Sequence, residues 1–522
     1  MVETVTEYED IQGLLYAGYG SLEEASFLLL RVTNAAEAKA WFAGLVEEPG
    51  AEKLSYHVTH AGHLDSHQEQ VLQLAFTARG LKNLGLLEDV LGSFSREFYL
   101  GIAGAEAEVE GRSRRLGDIG NNAPSNWEWG TPTEMPDILV MLYAEAGGLA
   151  AFQQMVTADL ALGFEIIRIL ATAKAAEPGE TRREPFGFVD GISQPQIDWD
   201  GTREPGTSDD LDYGNLIAAG EFLLGYQNEY GLYTQRPLLE PSQDPENILA
   251  PAAESPGQRD LGRNGTYLVL RQLEQDVSGF WNFVSEKSPE DNGTSLAQAM
   301  LGRNLTTGDP LITASRAEIR GVGPDAGDIR QNGFTYESDP EGLTCPFGAH
   351  IRRANPRTAD MPGGRQGVIS FLLRALGLKQ DGPRDDLISS SRFHRLIRRG
   401  RPYGVVIDHR ESVVHGESPG ITSGIYFIAL NANISRQFEF VQNAWIVNAK
   451  FNGMDGETDP LLGNRAPFPA ENPTDAFCLP QPSGPNRRIA GLPQFITVRG
   501  AAYFFLPSLR AIRFIARQNG KG

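Results

Sequence analysis

The sequence predicts an α+β protein of two related halves, each an antiparallel sheet with helices on one face. Three observations support this. Short apolar runs bounded by turn residues alternate with segments of helical period, the pattern of strands and helices that share a core. The run SFLLLR ending at Arg31 is echoed by TYLVLR ending at Arg271, and a tryptophan follows each arginine ten positions later, Trp41 and Trp281. Strand, arginine, helix and tryptophan at matching offsets indicate duplication, which governs the fold of the whole chain. The 522 residues leave room for two domains. They are expected at 1–205 and 263–522, with 206–262 connecting them.

In the first half, Ala25–Val32 reads as a buried strand, and Asn34 caps a helix running through Trp41 to Leu45. A strand over Leu72–Phe76 and a helix reaching Leu87 follow. Arg112–Gly130 is loop-like, Ile138–Ala144 a strand and Leu149–Leu162 a helix. A Gly/Pro/Asp-rich passage from Asp198 to Arg263 has the length of a functional or connecting loop. In the second half, Gly265–Arg271 and Gly424–Leu430 are strands and Ser435–Val441 a helix. Phe495–Arg499 and Ala501–Leu506 form a hairpin around Gly500, and a helix over Leu509–Arg517 follows.

Bulk properties narrow the function. A formal net charge of −21 argues against nucleic acid or an anionic membrane surface, both of which need a basic footprint. No apolar run reaches the ~18 residues that span a bilayer. Two cysteines, Cys345 and Cys478, make no disulfide framework, and MVETVTEYED lacks the regions of a signal peptide, so a cytoplasmic setting is expected.

Three stretches carry chemistry. Gly187–Pro195, GFVDGISQP, places Asp190 between glycines on exposed backbone, although Asp-Gly is also a common turn. His350 follows small and apolar residues and precedes Arg352, Arg353 and Arg357. A lone imidazole suits axial ligation of haem iron, and guanidinium groups suit anionic propionates. A core histidine is the plain alternative, and a Cys345 thiolate is a rival ligand that needs electropositive surroundings. Arg395–Gly404 is either a basic surface segment or the source of an arginine that stabilises developing negative charge. His57, His60, His63 and His67 raise a separate zinc reading.

Taken together these stretches resemble the dye-decolourising peroxidase family, in its longer-chain subgroup, over nearly the whole chain. The motifs are GxxDG at Gly187–Gly191, HIRxxNPR at His350–Arg357 and RxGxPYG from Arg398, with Asp10–Gly13, Gly220–Phe222 and Gly500–Ser508 as peripheral likenesses. The resemblance implies duplicated ferredoxin-like domains with haem b bound in the second half, one per chain. No CxxCH motif is present for covalent attachment. It also implies His350 as iron ligand, Asp190 as acid and base, and Arg398 as electrostatic stabiliser, with Arg399 as fallback. Gly191, Ile192, Ser193, Gln194, Arg352, Ile425 and Phe427 are expected around the cofactor, and Glu439 as the carboxylate behind His350. Hydrogen peroxide and organic donors such as dyes or phenols are the implied substrates. Trp445 and Tyr403 are candidate surface relays, and Asp360–Ser391 reads as an insertion. A haem-handling protein, for storage or iron removal without efficient peroxidase turnover, is the alternative function, but storage does not require Asp190 and Arg398.

Overall fold

The first strand, β1 (Glu24–Val32), is so apolar from Phe27 to Leu30 that both of its faces need covering. A computed structural model describes residues 6–63, 67–103, 107–173, 182–202, 214–312, 329–357, 390–405, 422–465 and 473–518. Of the expected insertion Asp360–Ser391, only Ser390 and Ser391 fall among the described residues.

After β1, Asn34 Oδ1 accepts the amides of Ala36 and Glu37 at 3.0 and 3.4 Å and so starts α1 (Ala35–Leu45). Helical spacing puts Ala38, Trp41, Phe42 and Leu45 on its buried face. β2 (Gln70–Phe76), β3 (Ile138–Ala144), α2 (Leu149–Leu160) and β4 (Phe164–Ala171) complete the half. β4 was not expected from the sequence, because its residues are mostly part-exposed and lack a dense apolar run. The second half contains β5 (Thr266–Gln275), α3 (Val277–Lys287), β6 (Ile397–Arg398), β7 (Arg401–Tyr403), β8 (Gly424–Asn431), β9 (Ile496–Leu506) and α4 (Leu509–Arg517). Strand order is β2-β3-β1-β4 in the first half and β6/β7-β8-β5-β9 in the second. Both halves place their second, third, first and fourth strands side by side in antiparallel pairing, so the duplication is topological as well as local.

Three expectations need correcting. The two sheets are fused: β9 pairs with β2 at Phe505 and Phe76, giving one nine-stranded sheet among the described residues. The hairpin around Gly500 is instead the single strand β9, with a register shift between Val498 and Gly500. Glycine is needed there because a Cβ would lie 2.4 Å from the Trp129 indole, which donates to Gln272 Oε1 at 2.8 Å. The Ser435–Val441 helix is π-helical, over Ser435–Glu439 and Val441–Ile446. In addition, the loop expected from Arg112 begins inside a helix, Ala107–Arg115.

Strand alternation sends Leu28 and Leu30 into the core under the helices, and Phe27 and Leu29 to the other face. Irregular chain covers that second face, through Leu14, Leu15, Leu22, Ile217, Phe222 and Leu223. The Gly/Pro-rich passage is therefore part of the fold's cover. Among the described residues no helix is long and apolar enough to cross a membrane.

The seam between the halves is completed by Gln12. Its amide donates to Leu74 O and Pro507 O, both at 2.8 Å, and its Oε1 accepts Leu74 N at 2.9 Å, in place of a missing strand partner. Gln12→Ala leaves three buried backbone groups unpaired. It should lower stability by about 3 kcal/mol, read as a drop in urea midpoint at unchanged slope.

Candidate active site

Alternate residues of the sheet in the second half face a cavity of ≈ 310 Å³: Leu273 and Gln275 from β5, Ile425 and Phe427 from β8, Ile496 and Val498 from β9. The Gly187–Pro195 loop, the short helix His350–Ala354 and the π-helical segment close it.

Asp190 reaches this cavity because Gly187 and Gly191 hold φ of 97° and 77°, where side-chain-bearing residues are strained. Gly191 N donates to Asp190 Oδ1 at 2.6 Å, and Arg398 Nη1 lies 3.7 Å from the same oxygen. Ser193 and Gln194 hold the arginine in place. Arg398 Nη2 donates to Ser193 O at 3.0 Å, and Arg398 N donates to Gln194 Oε1 at 3.0 Å. Gln194 Nε2 returns a bond to Arg398 O at 3.1 Å. Arg399, just past β6, does not line the cavity; its guanidinium donates instead to Leu14 O and Leu15 O. Gly191 and Ile192 also line the cavity, with Ser193 and Gln194.

His350 lines the same cavity, and its Nδ1 meets Asp459 Oδ2 at 2.9 Å, which leaves Nε2 for a ligand. Asp459 is fully buried. Burial alone would raise its carboxyl, but the charge and hydrogen bond of His350, the Leu462 amide and Arg353 together hold it below the ordinary range. Arg353 in turn donates to Trp445 O and Glu457 O, both at 2.7 Å, fixing the chain on either side.

Several expected site residues lie elsewhere. Glu439 does not meet His350. It accepts Arg112 Nη1 at 2.7 Å and Tyr503 OH at 2.7 Å, because the π-helical turn directs it toward β9. Arg352 faces neither cavity nor solvent. Its guanidinium is 4.5 Å from each of the Tyr336 and Phe347 ring centres and donates to Asp339 Oδ2 and Cys345 O. Cys345 is unsuited as a thiolate ligand, since burial pushes its thiol up to about 12. Trp445 and Tyr403 are both buried, so neither is a surface relay; Trp445 lines the cavity and Tyr403 stacks on Tyr426. Of the early histidines, His67 pairs with Glu145, and no group of three or more His, Cys, Asp or Glu among the described residues could hold a metal ion.

Further arginines line the cavity: Arg357 and Arg395, from stretches that the sequence had marked, and Arg303, which sequence reasoning missed. Burial, with the neighbouring charges of Arg357 and Arg398, pulls the Arg303 guanidinium down to about 10, and it donates to the carbonyls of Gly308 and Gln331. An imidazole with one free nitrogen, apolar walls and clustered guanidinium groups fit haem: one axial ligand, an apolar macrocycle and two carboxylates. His394, also on the wall, stacks on Phe440 with ring centres 3.7 Å apart and donates from Nδ1 to Arg436 O.

No family model matches this chain. It is 26% identical to the multifunctional dye peroxidase DyP2 of Amycolatopsis sp. across 94% of this chain and 92% of that protein. It is also 26% identical to the dye-decolorizing peroxidase msp1 of Mycetinis scorodonius, across 97% and 87%. Among solved structures, an ancestral D-type dye-decolorizing peroxidase superposes with a TM-score of 0.69 at 22% identity, covering 98% of this chain and 99% of its own, and so confirms the fold. Fold, cavity and relatives define a peroxidase. Over nearly its whole length the chain is similar to dye-decolourising peroxidases, a family that depends on haem.

Burial lowers the His394 imidazole to about 4. The unfolded chain binds a proton at this histidine below about pH 6.5 and the folded chain only near 4, so its contribution is lost as pH falls between them. Over 2.5 pH units that is roughly 3 kcal/mol. In chain prepared without haem, the stability difference between wild type and His394→Phe should shrink by that amount from pH 6.5 to 4, as measured by urea unfolding.

Proposed function

We propose that this chain is a haem b peroxidase that reduces hydrogen peroxide and oxidises organic donors such as dyes or phenols. Asp190 is its acid and base, Arg398 its electrostatic stabiliser and His350 its iron ligand. The observation that carries this reading is the pairing of Asp190 with Arg398 in the cavity that also receives His350. A storage protein needs the histidine and the apolar walls but not that pair. Two free thiols, Cys345 and Cys478, support a reducing, cytoplasmic setting.

Arg303, Arg357 and Arg395 would hold the propionates, while Ile425 and Phe427 would pack against the macrocycle. Haem supplies the iron that exchanges electrons between peroxide and donor. The protein supplies the proton handling. Asp190 Oδ1 already accepts Gly191 N and faces Arg398, so Oδ2 is the atom that takes a proton from one peroxide oxygen. The same proton passes to the other oxygen, which leaves as water. The Arg398 guanidinium offsets the negative charge that builds as the first proton departs. Asp459 fixes the His350 tautomer by accepting from Nδ1.

Stopped-flow spectroscopy of three variants tests the assignment. His350→Ala should fail to retain haem. Arg398→Leu should keep haem and its Soret band but react with peroxide about 10² to 10³ times more slowly. Asp190→Asn should keep haem and lose about 10² to 10⁴ in the same rate. A wild-type peroxide rate in Arg398→Leu would refute the role of that residue.

A further inference from the structure

The cavity wall contains a carboxylate that the mechanism above leaves unused. Glu184 lies at the root of the loop that presents Asp190 and is nearly buried. Its hydrogen bonds account for three successive amides of the turn. Its side chain accepts Phe186 N at 3.0 Å and Phe188 N at 2.9 Å, and its own carbonyl accepts Gly187 N at 2.8 Å. Glu184 N closes the turn by donating to Phe188 O at 2.9 Å. The turn ends two residues before Asp190.

A second set of contacts ties this turn to the other half of the molecule. Gln275 Nε2, on β5, donates to Glu184 Oε2 at 2.7 Å. Trp281 Nε1, on α3, donates to Phe186 O at 3.1 Å. Arg183 Nη1 donates to both Gly187 O and Leu305 O. Of these groups only Glu184 organises the turn from within and also touches the sheet. An amide side chain cannot replace it, because it presents N–H where a backbone N–H must be accepted.

We propose that Glu184 is a positioning residue for the peroxide reaction, setting the backbone turn that aims Asp190 and anchoring it through Gln275 to the sheet that forms the cavity. This rests on the acid-base role proposed for Asp190. The cost of keeping the carboxylate there is visible: burial, with the charge of Asp190 adding to it, pushes it up to about 7. A group retained despite that cost, and bonded at each acceptor site to the catalytic loop or the sheet, is placed to act through Asp190. Small misplacements of a reacting group cost rate steeply, about 10²-fold for 1 Å.

A double-mutant cycle tests the proposal. In haem-loaded enzyme, Glu184→Ala should lower the second-order rate with hydrogen peroxide by about 10²-fold. In an Asp190→Asn background the same change should cost less than about twofold, since no aimed carboxylate is left to misplace. In chain prepared without haem, hydrogen exchange at Phe186, Gly187 and Phe188 should accelerate in Glu184→Ala. Where Glu184→Ala fails to fold, Gln275→Leu replaces it. It keeps the turn but releases the carboxylate from the sheet, with an expected loss of about tenfold and the same non-additivity. Full additivity with Asp190→Asn overturns the proposal, as does a wild-type peroxide rate despite accelerated exchange. If Asp190→Asn alone reacts at the wild-type rate, the acid-base reading itself fails, an outcome distinct from additivity.

Discussion

The site depends on the joining of two half-sheets that meet at one register position. Among the described residues β9 and β2 pair only at Phe505 and Phe76, and Gln12 bridges the two strands beside that position through Leu74 and Pro507. The join is what lets one half supply Asp190 while the other supplies Arg398 and His350. Further contacts across the halves then set distances within the site: the Gln194–Arg398 clasp, Gln275 on Glu184, and Trp281 on Phe186. Because each is a directional hydrogen bond, a shift of one half against the other breaks several at once.

Charge is distributed in an unusual way. The chain is strongly acidic, with a formal net charge of −21, yet its interior holds many arginines. Arg303, Arg353 and Arg465 are each pulled down to about 10, with burial as the largest cause. Arg303 and Arg353 donate to main-chain carbonyls, and Arg465 reaches Asp459 O and Pro460 O. Carbonyls satisfy the guanidinium protons without neutralising their charge, so at Arg303, which lines the cavity, an anionic ligand meets positive potential. On the histidine side the balance is reversed, since Asp459 stays low although fully buried.

The repeat shows how one local pattern serves two ends. Arg31 and Arg271 occupy matching positions, yet Arg31 is half-exposed on Glu165 while Arg271 is buried on Asp118 in the cavity wall. Trp41 donates to Tyr56 inside the first core, whereas Trp281 donates to Phe186 O in the loop that carries Asp190. Duplication copied the scaffold, and the surrounding loops decided which copy acquired the site.

Much of this was legible locally. Apolar runs with turn residues at their ends marked β1, β2, β3, β5 and β8, since a strand buried on both faces has no other composition available. Glycines flanking Asp190 marked a backbone held at positive φ, whereas Arg398 and Arg399 are told apart only by the carbonyls of Leu14 and Leu15 that engage the latter. The partner of His350 was not legible. Asp459 lies 109 residues away and carries no local signal, while Glu439 looked equally suitable until the π-helical turn directed it to Arg112 and Tyr503. Gly500 misled for the same reason: a glycine between two apolar runs reads as a turn, and only the Trp129 indole against it explains a continuous strand. The sequence by itself determined the duplicated α+β plan, because that depends on period and local backbone, and its motifs singled out Asp190, His350 and Arg398, which the fold brings to one cavity. Tertiary structure decided which carboxylate backs His350, which arginines face the cavity and how the halves lock, because those depend on side chains meeting across the fold.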